Sequence, residues 1–273
     1  IRSVESLALS VLRIIEEEAM KKNTAKVIAY LPVDSATYLL NDAADVDADR
    51  AHPTKRFRPI AAGEVSVGTA RVVGVTLLVA GFAIGFLTGW RLPLVVLTYL
   101  VLTTTYSLWG KRVPVLDLGM VAAGFVLRTV AGAVAVDVPI SVWFFIVASF
   151  GSLFVVAGKR YSEMVELGSD SAKVRSTLGV YTDSFLAYVR SVASGVTLVA
   201  YCLWAFEKAQ GEGGFPWFEV SIVPFVLAFL RYAFIVDRGE AGAPEDVVLT
   251  DRVLQAFGLA WVVTVGVGIL VGH

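Results

Sequence analysis

The sequence predicts an all-α, polytopic transmembrane helical bundle, and three observations carry that prediction. Apolar residues make up 56% of the 273 and charged residues 17%, less charge than a soluble domain of this length carries. The charges are bunched, so that seven apolar stretches alternate with short polar connections. Each stretch is close to the roughly 20 residues a helix needs to cross hydrocarbon. The connections themselves alternate between basic and nearly uncharged, the asymmetry expected when basic loops stay in the cytoplasm. The net charge of −1 is a bulk figure and excludes nothing, but no basic stripe points to a nucleic-acid partner.

The spans run from Gly68 to Trp90, Leu92 to Trp109, Val113 to Val136, Pro139 to Gly158, Ser184 to Phe206, Trp217 to Val236 and Val253 to Val271. Gly81, Gly85, Gly119, Gly124 and Gly132 recur within them, letting helix backbones approach closely in lipid. Trp90, Trp109, Trp143, Trp204, Trp217 and Trp261 mostly fall near span ends, where an amphipathic ring prefers the interface. Lys55, Arg56 and Arg58 precede the first span, and Lys111 and Arg112 follow the second. Lys159, Arg160, Lys173 and Arg175 follow the fourth, and Arg238 and Arg252 flank the connection after the sixth. The opposite side holds little beyond Arg91 and Lys208. The chain is therefore expected in the cell membrane, with its charged loops cytoplasmic and its last helix ending outside. Cys202 is the one cysteine, excludes an intrachain disulfide and reads as a small buried or lipid-facing residue. No cleavable signal peptide is expected from Ile1 onward, because no short basic stretch precedes a pure apolar core.

Residues 1–40 break the pattern. Glu16, Glu17, Glu18, Lys21, Lys22 and Lys26 interrupt any span, while Val4, Leu7, Val11, Ile14 and Ile15 keep approximate helical spacing. The region reads as a soluble amphipathic helix followed by a short strand, Ala25 to Leu31. The stretch from Ile1 to Asn41 resembles a segment of the ribonuclease E/G catalytic core. Some forty residues of a much larger enzyme imply no ribonuclease activity. Residues 1–40 are read as a foreign or misassigned segment ahead of a transferase domain at 41–273. The other reading is an unusual amphipathic N-terminus lying on the membrane.

The most informative stretch is NDAADVDADRAHPTKRFRPIAAG, from Asn41 to Gly63. Asn41, Asp45 and Asp49 recur every four residues, which on a helix puts them on one slowly rotating face, with Asp42 beside them. Carboxylates gathered this way repel one another unless a cation sits among them. Oxygen ligands select a hard ion, and Mg²⁺ carrying a substrate diphosphate is the usual occupant. Arg50, Lys55, Arg56 and Arg58 follow within reach of the same phosphates. Pro53 and Pro59 are expected to stop the helix and shape the basic loop. A solvated charge run between helices is the bland reading, and the order of acids, His-Pro and basic residues favours a site over it.

The motif NDxxDxxxD, with Asn41, Asp42, Asp45 and Asp49 in register, resembles the first aspartate signature of the UbiA superfamily of membrane prenyltransferases. The longer string DADRAHPTKRFRPIAAG resembles one branch, the decaprenyl-phosphate phosphoribosyltransferases of actinobacterial arabinan synthesis. GKRYSE at 158–163, the WAFE around Trp204 and the stretch from Leu230 to Gln255 resemble the same branch. The resemblance runs over most of residues 38–273. It departs in two respects. The second DxxxD motif of typical superfamily members is missing, and Lys159, Arg160, Glu163 and Glu166 stand in its place, as in the phosphoribosyl branch. The family also has nine transmembrane helices against the seven readable here, its first two belonging where residues 1–40 now stand.

The resemblance implies transfer of 5-phosphoribose from phosphoribosyl diphosphate (PRPP) to decaprenyl phosphate, releasing diphosphate, for cell-wall arabinan. It implies a UbiA-type bundle in the bilayer, and a homo-oligomer, with a trimer as the guess. Mg²⁺ would be held by Asp45, Asp49 and Asn41 or Asp42, as a Lewis acid toward the leaving diphosphate. Asp45, Asp49, Lys159 and Glu163 are the catalytic candidates. Arg50, Lys55, Arg58, Lys111, Arg112, Arg128, Arg160 and Tyr161 are the substrate-binding candidates. The acceptor phosphate is already anionic at neutral pH, so no strong general base is required.

Several residues keep two readings. His52 is structural beside Pro53 or moves a proton, and terminal His273 should have no role. Arg128 holds a substrate phosphate or forms an internal ion pair with Asp117, since ionisable groups in a span should face the bundle interior. Lys111 and Arg112 serve a phosphate or simply mark the cytoplasmic side. Glu245, Asp246, Asp251 and Arg252 form a solvated helix-start cluster or cap the site. Phe82, Phe86, Phe125, Phe144 and Phe145 line a groove for the isoprenoid tail, or pack and face lipid. The competing functions are a UbiA-type prenyltransferase moving an isoprenyl group to an aromatic or lipid acceptor, a transporter, and a non-catalytic membrane scaffold. The missing DxxxD counts against the first. The gathering of charge in loops on one face counts against transport.

Overall fold

The computed structural model describes residues 35–51, 55–168, 176–209 and 215–271. The expected N-terminal amphipathic helix and the strand Ala25 to Leu31 lie outside the described residues, as do His52, Pro53, Lys173, Arg175 and His273. Seven long helices account for the expected spans. They are α4 (Val67–Thr88), α5 (Arg91–Leu108), α6 (Leu116–Ala135), α7 (Val142–Leu167), α8 (Asp183–Ala209), α9 (Trp217–Asp237) and α11 (Arg252–Val271). All seven are long and apolar enough to cross a membrane. Ahead of them come α1 at residues 35–44, α2 (Val46–Ala51) and α3 (Pro59–Ala62), and α10 (Pro244–Thr250) precedes the last span.

Local chemistry sets the ends. Ser66 caps α4 by accepting the Thr69 N–H at 3.0 Å, and Ser141 caps α7 by accepting the Phe144 N–H at 3.1 Å. Thr182 accepts from the Phe185 N–H at 3.2 Å at the start of α8, and Asp251 from the Leu254 N–H at 2.7 Å at the start of α11. Helix α7 ends at Gly168, whose positive φ an L side chain resists. Pro59 departs from its expected role. Helix α2 has already ended at Ala51, and Pro59 opens α3 at its first position, where its missing N–H is unneeded.

Helix α7 also runs nine residues past the expected span end at Gly158. No breaker follows until Gly168, and Arg160 bonds Glu163 one turn on at 2.8 Å. Lys159, Arg160, Tyr161 and Glu163 therefore stand on a rigid helix rather than in a loop. Gly158 is required by a close approach, since a Cβ there would lie 3.0 Å from both γ-methyls of Val236 on α9.

Two compact units divide the chain. The first is described from residue 35 to Ser107 and from Leu127 to Pro139, the second from Leu108 to Val126 and from Ile140 to Val271. In the first, Ala43, Ile60 and Ala70 pack together, and Leu92, Val96 and Ala131 form a second cluster. Helix α1 runs unbroken across the expected boundary at residue 40. A Cβ on Gly74 of α4 would meet Leu40 Cγ at 2.9 Å. In the second unit, Phe154, Ala193, Tyr232, Ile235 and Val236 tie α7, α8 and α9 together, and Leu118, Ala122, Val156, Tyr181 and Leu186 form the other core. Outward surfaces are apolar, with Leu87 87% and Leu270 81% exposed. Large apolar side chains on this scale are the surface of a protein solvated by hydrocarbon. Phe86, Phe125, Phe144 and Phe145 belong to that surface, while Phe82 packs against the Leu92 cluster.

Candidate active site

The aspartate stretch folds as α1 and α2 with a bend at Asp45. The helical backbone ladder continues through it, Asp45 N–H bonding Asn41 O at 2.9 Å and Asp49 N–H bonding Asp45 O at 2.8 Å. The side chains brought together are Asp42 and Asp49. Arg58 Nη1 donates to Asp42 Oδ1 at 2.7 Å and to Asp49 Oδ2 at 2.9 Å. These carboxylates stand seven residues apart, and seven residues fall only about 20° short of two full turns. They share a face more closely than the four-residue series does. Asp49 is buried, and burial pushes the Asp42 carboxyl above its ordinary value, Arg58 opposing and Asp49 adding to the push. Asn41 Oδ1 accepts from Ser107 Oγ at 3.1 Å. Arg50 bonds the Ala61 carbonyl at 3.2 Å, tying α2 to α3.

Also in the first unit, Arg128 Nη2 donates to Tyr38 Oη at 2.9 Å. Its guanidinium lies 5.1 Å from the Tyr38 ring centre and 5.6 Å from that of Tyr99. Asp117, the ionic partner considered for Arg128, is paired with Arg160 instead.

The second unit holds its own charged cluster. Asp117 at the start of α6 is fully buried and Arg160 is 4% exposed. Arg160 Nε approaches Asp117 Oδ2 at 3.5 Å as an ion pair without a hydrogen bond, and its Nη1 bonds Glu163 at 2.8 Å. Thr177 Oγ1 donates to Asp117 at 3.2 Å, and the Tyr181 hydroxyl donates to the other carboxylate oxygen. Burial first, and the Asp117 bond second, push the Tyr181 hydroxyl well above its ordinary value, so it remains a donor. Lys111 and Arg112 sit on a 3₁₀ turn, Gly110–Arg112, just ahead of α6. Tyr161 carries Arg190 over its ring at 4.1 Å.

At the end of α9, Arg231 takes Asp251 with both arms of its fork at 3.1 and 2.6 Å, so Asp251 caps α11 and pairs at once. That pairing is the first cause holding the Asp251 carboxyl below its ordinary value. Glu245 and Asp246 lie in the first turn of α10, as the helix-start reading expects. Sequence reasoning missed Tyr181 and Thr177, which sit in a connection without a motif. It also missed Arg190 and Arg231, although an ionisable residue inside a span was signal enough.

The donors available for a cation are all oxygens, and two carboxylates already converge on the positive charge of Arg58. Among the described residues no group of three acidic, His or Cys side chains is assembled for a metal. The donor set suits a hard cation with two direct carboxylates and the rest of its shell supplied by substrate or water.

Comparison with known proteins extends this picture. The model of the UbiA prenyltransferase family matches residues 24–267, and that of the RNase E/G thioredoxin-like domain matches residues 1–45. A decaprenyl-phosphate phosphoribosyltransferase of Corynebacterium glutamicum is 46% identical over 84% of this chain and 70% of its own length. The Mycobacterium tuberculosis protein of the same name is 42% identical over 93% of this chain and 84% of its own. Ribonuclease E of Buchnera aphidicola is 60% identical over 45 residues, 16% of this chain and 5% of that enzyme. In structure, a UbiA homolog from Archaeoglobus fulgidus bound to GPP and Mg²⁺ aligns over 92% of this chain and 87% of its own, with a TM-score of 0.65 and 18% identity. From the family match across nearly the whole chain and these relatives, the chain belongs to the UbiA prenyltransferase family.

Proposed function

We propose that this chain transfers 5-phosphoribose from phosphoribosyl diphosphate to a polyprenyl phosphate of the decaprenyl type, releasing diphosphate and supplying cell-wall arabinan. The observation that carries the reading is its identity of 42–46% to proteins that bear that activity in their names, over most of both chains. The charged clusters suit the chemistry. The C1–O bond to diphosphate breaks, and a new bond forms between C1 and an oxygen of the lipid phosphate. Negative charge grows on the leaving diphosphate, and preorganised cations aimed at such charge are usually the largest catalytic term.

Asp42 and Asp49 would hold Mg²⁺ directly, with Asp45 and Asn41 beside them. The metal, when bound, would act as a Lewis acid toward the diphosphate. Arg58, now between the two carboxylates, would turn with Lys55 toward the phosphates. In the second unit, Lys111, Arg112 and Lys159 are further basic candidates for the substrate phosphates. Arg160 and Glu163 would act as a fixed pair, because Arg160 is buried and already bonded to acids. The reading puts the reaction at the cytoplasmic face, supported by the basic residues of alternate connections. Residues 1–40 are read as foreign to the transferase, supported by the ribonuclease E/G match over residues 1–45, which runs five residues into the family motif.

The test is a transfer assay on membranes containing the chain, with labelled phosphoribosyl diphosphate, decaprenyl phosphate and Mg²⁺. Mg²⁺-dependent label in the lipid phase is the expected result. No transfer beside an active control, with transfer of an isoprenyl group from its diphosphate instead, would refute the reading.

A further inference from the structure

Between the turn bearing Lys111 and Arg112 and the start of α6, the backbone passes through Val115 at a φ of 69°. A β-branched side chain rarely adopts this left-handed conformation, and it persists only where the surroundings over-determine it. The Val115 side chain is 59% exposed, so its own packing does not hold the turn. A hydrogen bond does. Its N–H donates to the Tyr181 hydroxyl at 2.7 Å, from a residue 66 positions away. Tyr181 is itself fixed. Its ring is 8% exposed and stacked on Phe185 at 5.5 Å, and its hydroxyl proton is committed to the buried Asp117 carboxylate. Asp117 is held in turn by Thr177 and Arg160.

We propose that Tyr181 is a positioning residue for the substrate diphosphate. By accepting the Val115 N–H it locks the left-handed turn, and so fixes the direction in which Lys111 and Arg112 leave α6. Relaxation of Val115 to a negative φ would swing the short stretch between it and Arg112, and both cations would lose their preorganisation. The inference rests on the proposed function only in taking Lys111 and Arg112 as diphosphate ligands.

The experiment measures Mg²⁺-dependent affinity for inorganic diphosphate on the purified full chain by calorimetry, alongside the transfer assay. Tyr181→Phe should weaken binding about tenfold, and adding Val115→Gly should bring it back to within about threefold of wild type, because glycine adopts the turn freely. Val115→Pro fixes φ near −65° and leaves Tyr181 and Asp117 intact, and it should lose about tenfold by itself. It serves where Tyr181→Phe fails to fold. Lys111→Gln with Arg112→Gln should weaken wild type about tenfold yet add less than about twofold to Tyr181→Phe, as expected for residues acting as one unit. Wild-type affinity in Tyr181→Phe or Val115→Pro, no recovery with Val115→Gly, or full additivity would each overturn the proposal. A wild-type chain that binds diphosphate but transfers no ribose would overturn the function and leave this clamp to be decided by the affinities.

Discussion

Replacing Arg160 by Met should destabilise the second unit by about 3 kcal/mol. Arg160 is 4% exposed and pairs with Asp117, which is fully buried, and with Glu163, which is partly exposed. Removing one member of a buried ion pair costs about 3–5 kcal/mol because the other charge is stranded away from water. The lower end applies here, since Asp117 keeps hydrogen bonds from Thr177 and Tyr181. The converse change, Asp117→Asn, leaves Arg160 its bond to Glu163 and should cost only about 1–2 kcal/mol. The double variant should be more stable than Arg160→Met alone, because no fully buried charge then lacks a partner. Cys202 is the one cysteine and half-buried, so a thiol-reactive dye in detergent reports unfolding directly. The Arg160→Met midpoint should fall by about 6–12 °C, from about 2–4 °C per kcal/mol in chains of this size. A midpoint within about 2 °C of wild type, or a double variant no better than the single, would refute the stranded-charge argument.

Other outcomes follow from the same geometry. Asp45→Asn and Asp49→Asn should each reduce transfer by about 100-fold or more while the Cys202 labelling midpoint stays near wild type, as expected for groups acting on charge in the transition state. Gly158→Leu should overpack the α7–α9 contact by about 1–3 kcal/mol, and Val236→Ala should recover part of that loss in the same dye assay, since the added Cβ meets the Val236 methyls. The Asp251–Arg231 pair should show its own pH dependence. Its folded carboxyl lies below the ordinary value, so its stabilisation is full above about pH 4 and fades as pH falls through the folded value. Hydrogen exchange at the start of α11 should therefore rise only in acid, and Asp251→Asn should raise it at neutral pH and remove the acid dependence.

The seven spans were legible because hydrocarbon imposes a length and a composition that the sequence displays directly. Ends were misjudged where hydropathy ended before the helix did, as at Gly158, beyond which the helix continues until the breaker at Gly168. The four-residue rhythm of Asn41, Asp45 and Asp49 left Asp42 beside the series, whereas its seven-residue spacing from Asp49 puts those two on one face and onto Arg58.

By itself the sequence determined the membrane-spanning helices and the acidic stretch with its following cations, since each depends on residues near one another in the chain. Tertiary structure alone decided that Arg160 is spent on Asp117 and that Tyr181 holds Val115. Those partners lie 43 and 66 residues apart, and no local periodicity encodes which distant side chain will meet a buried charge. Burial decides that outcome, because a charge or N–H removed from water must take whatever partner the packing brings to it.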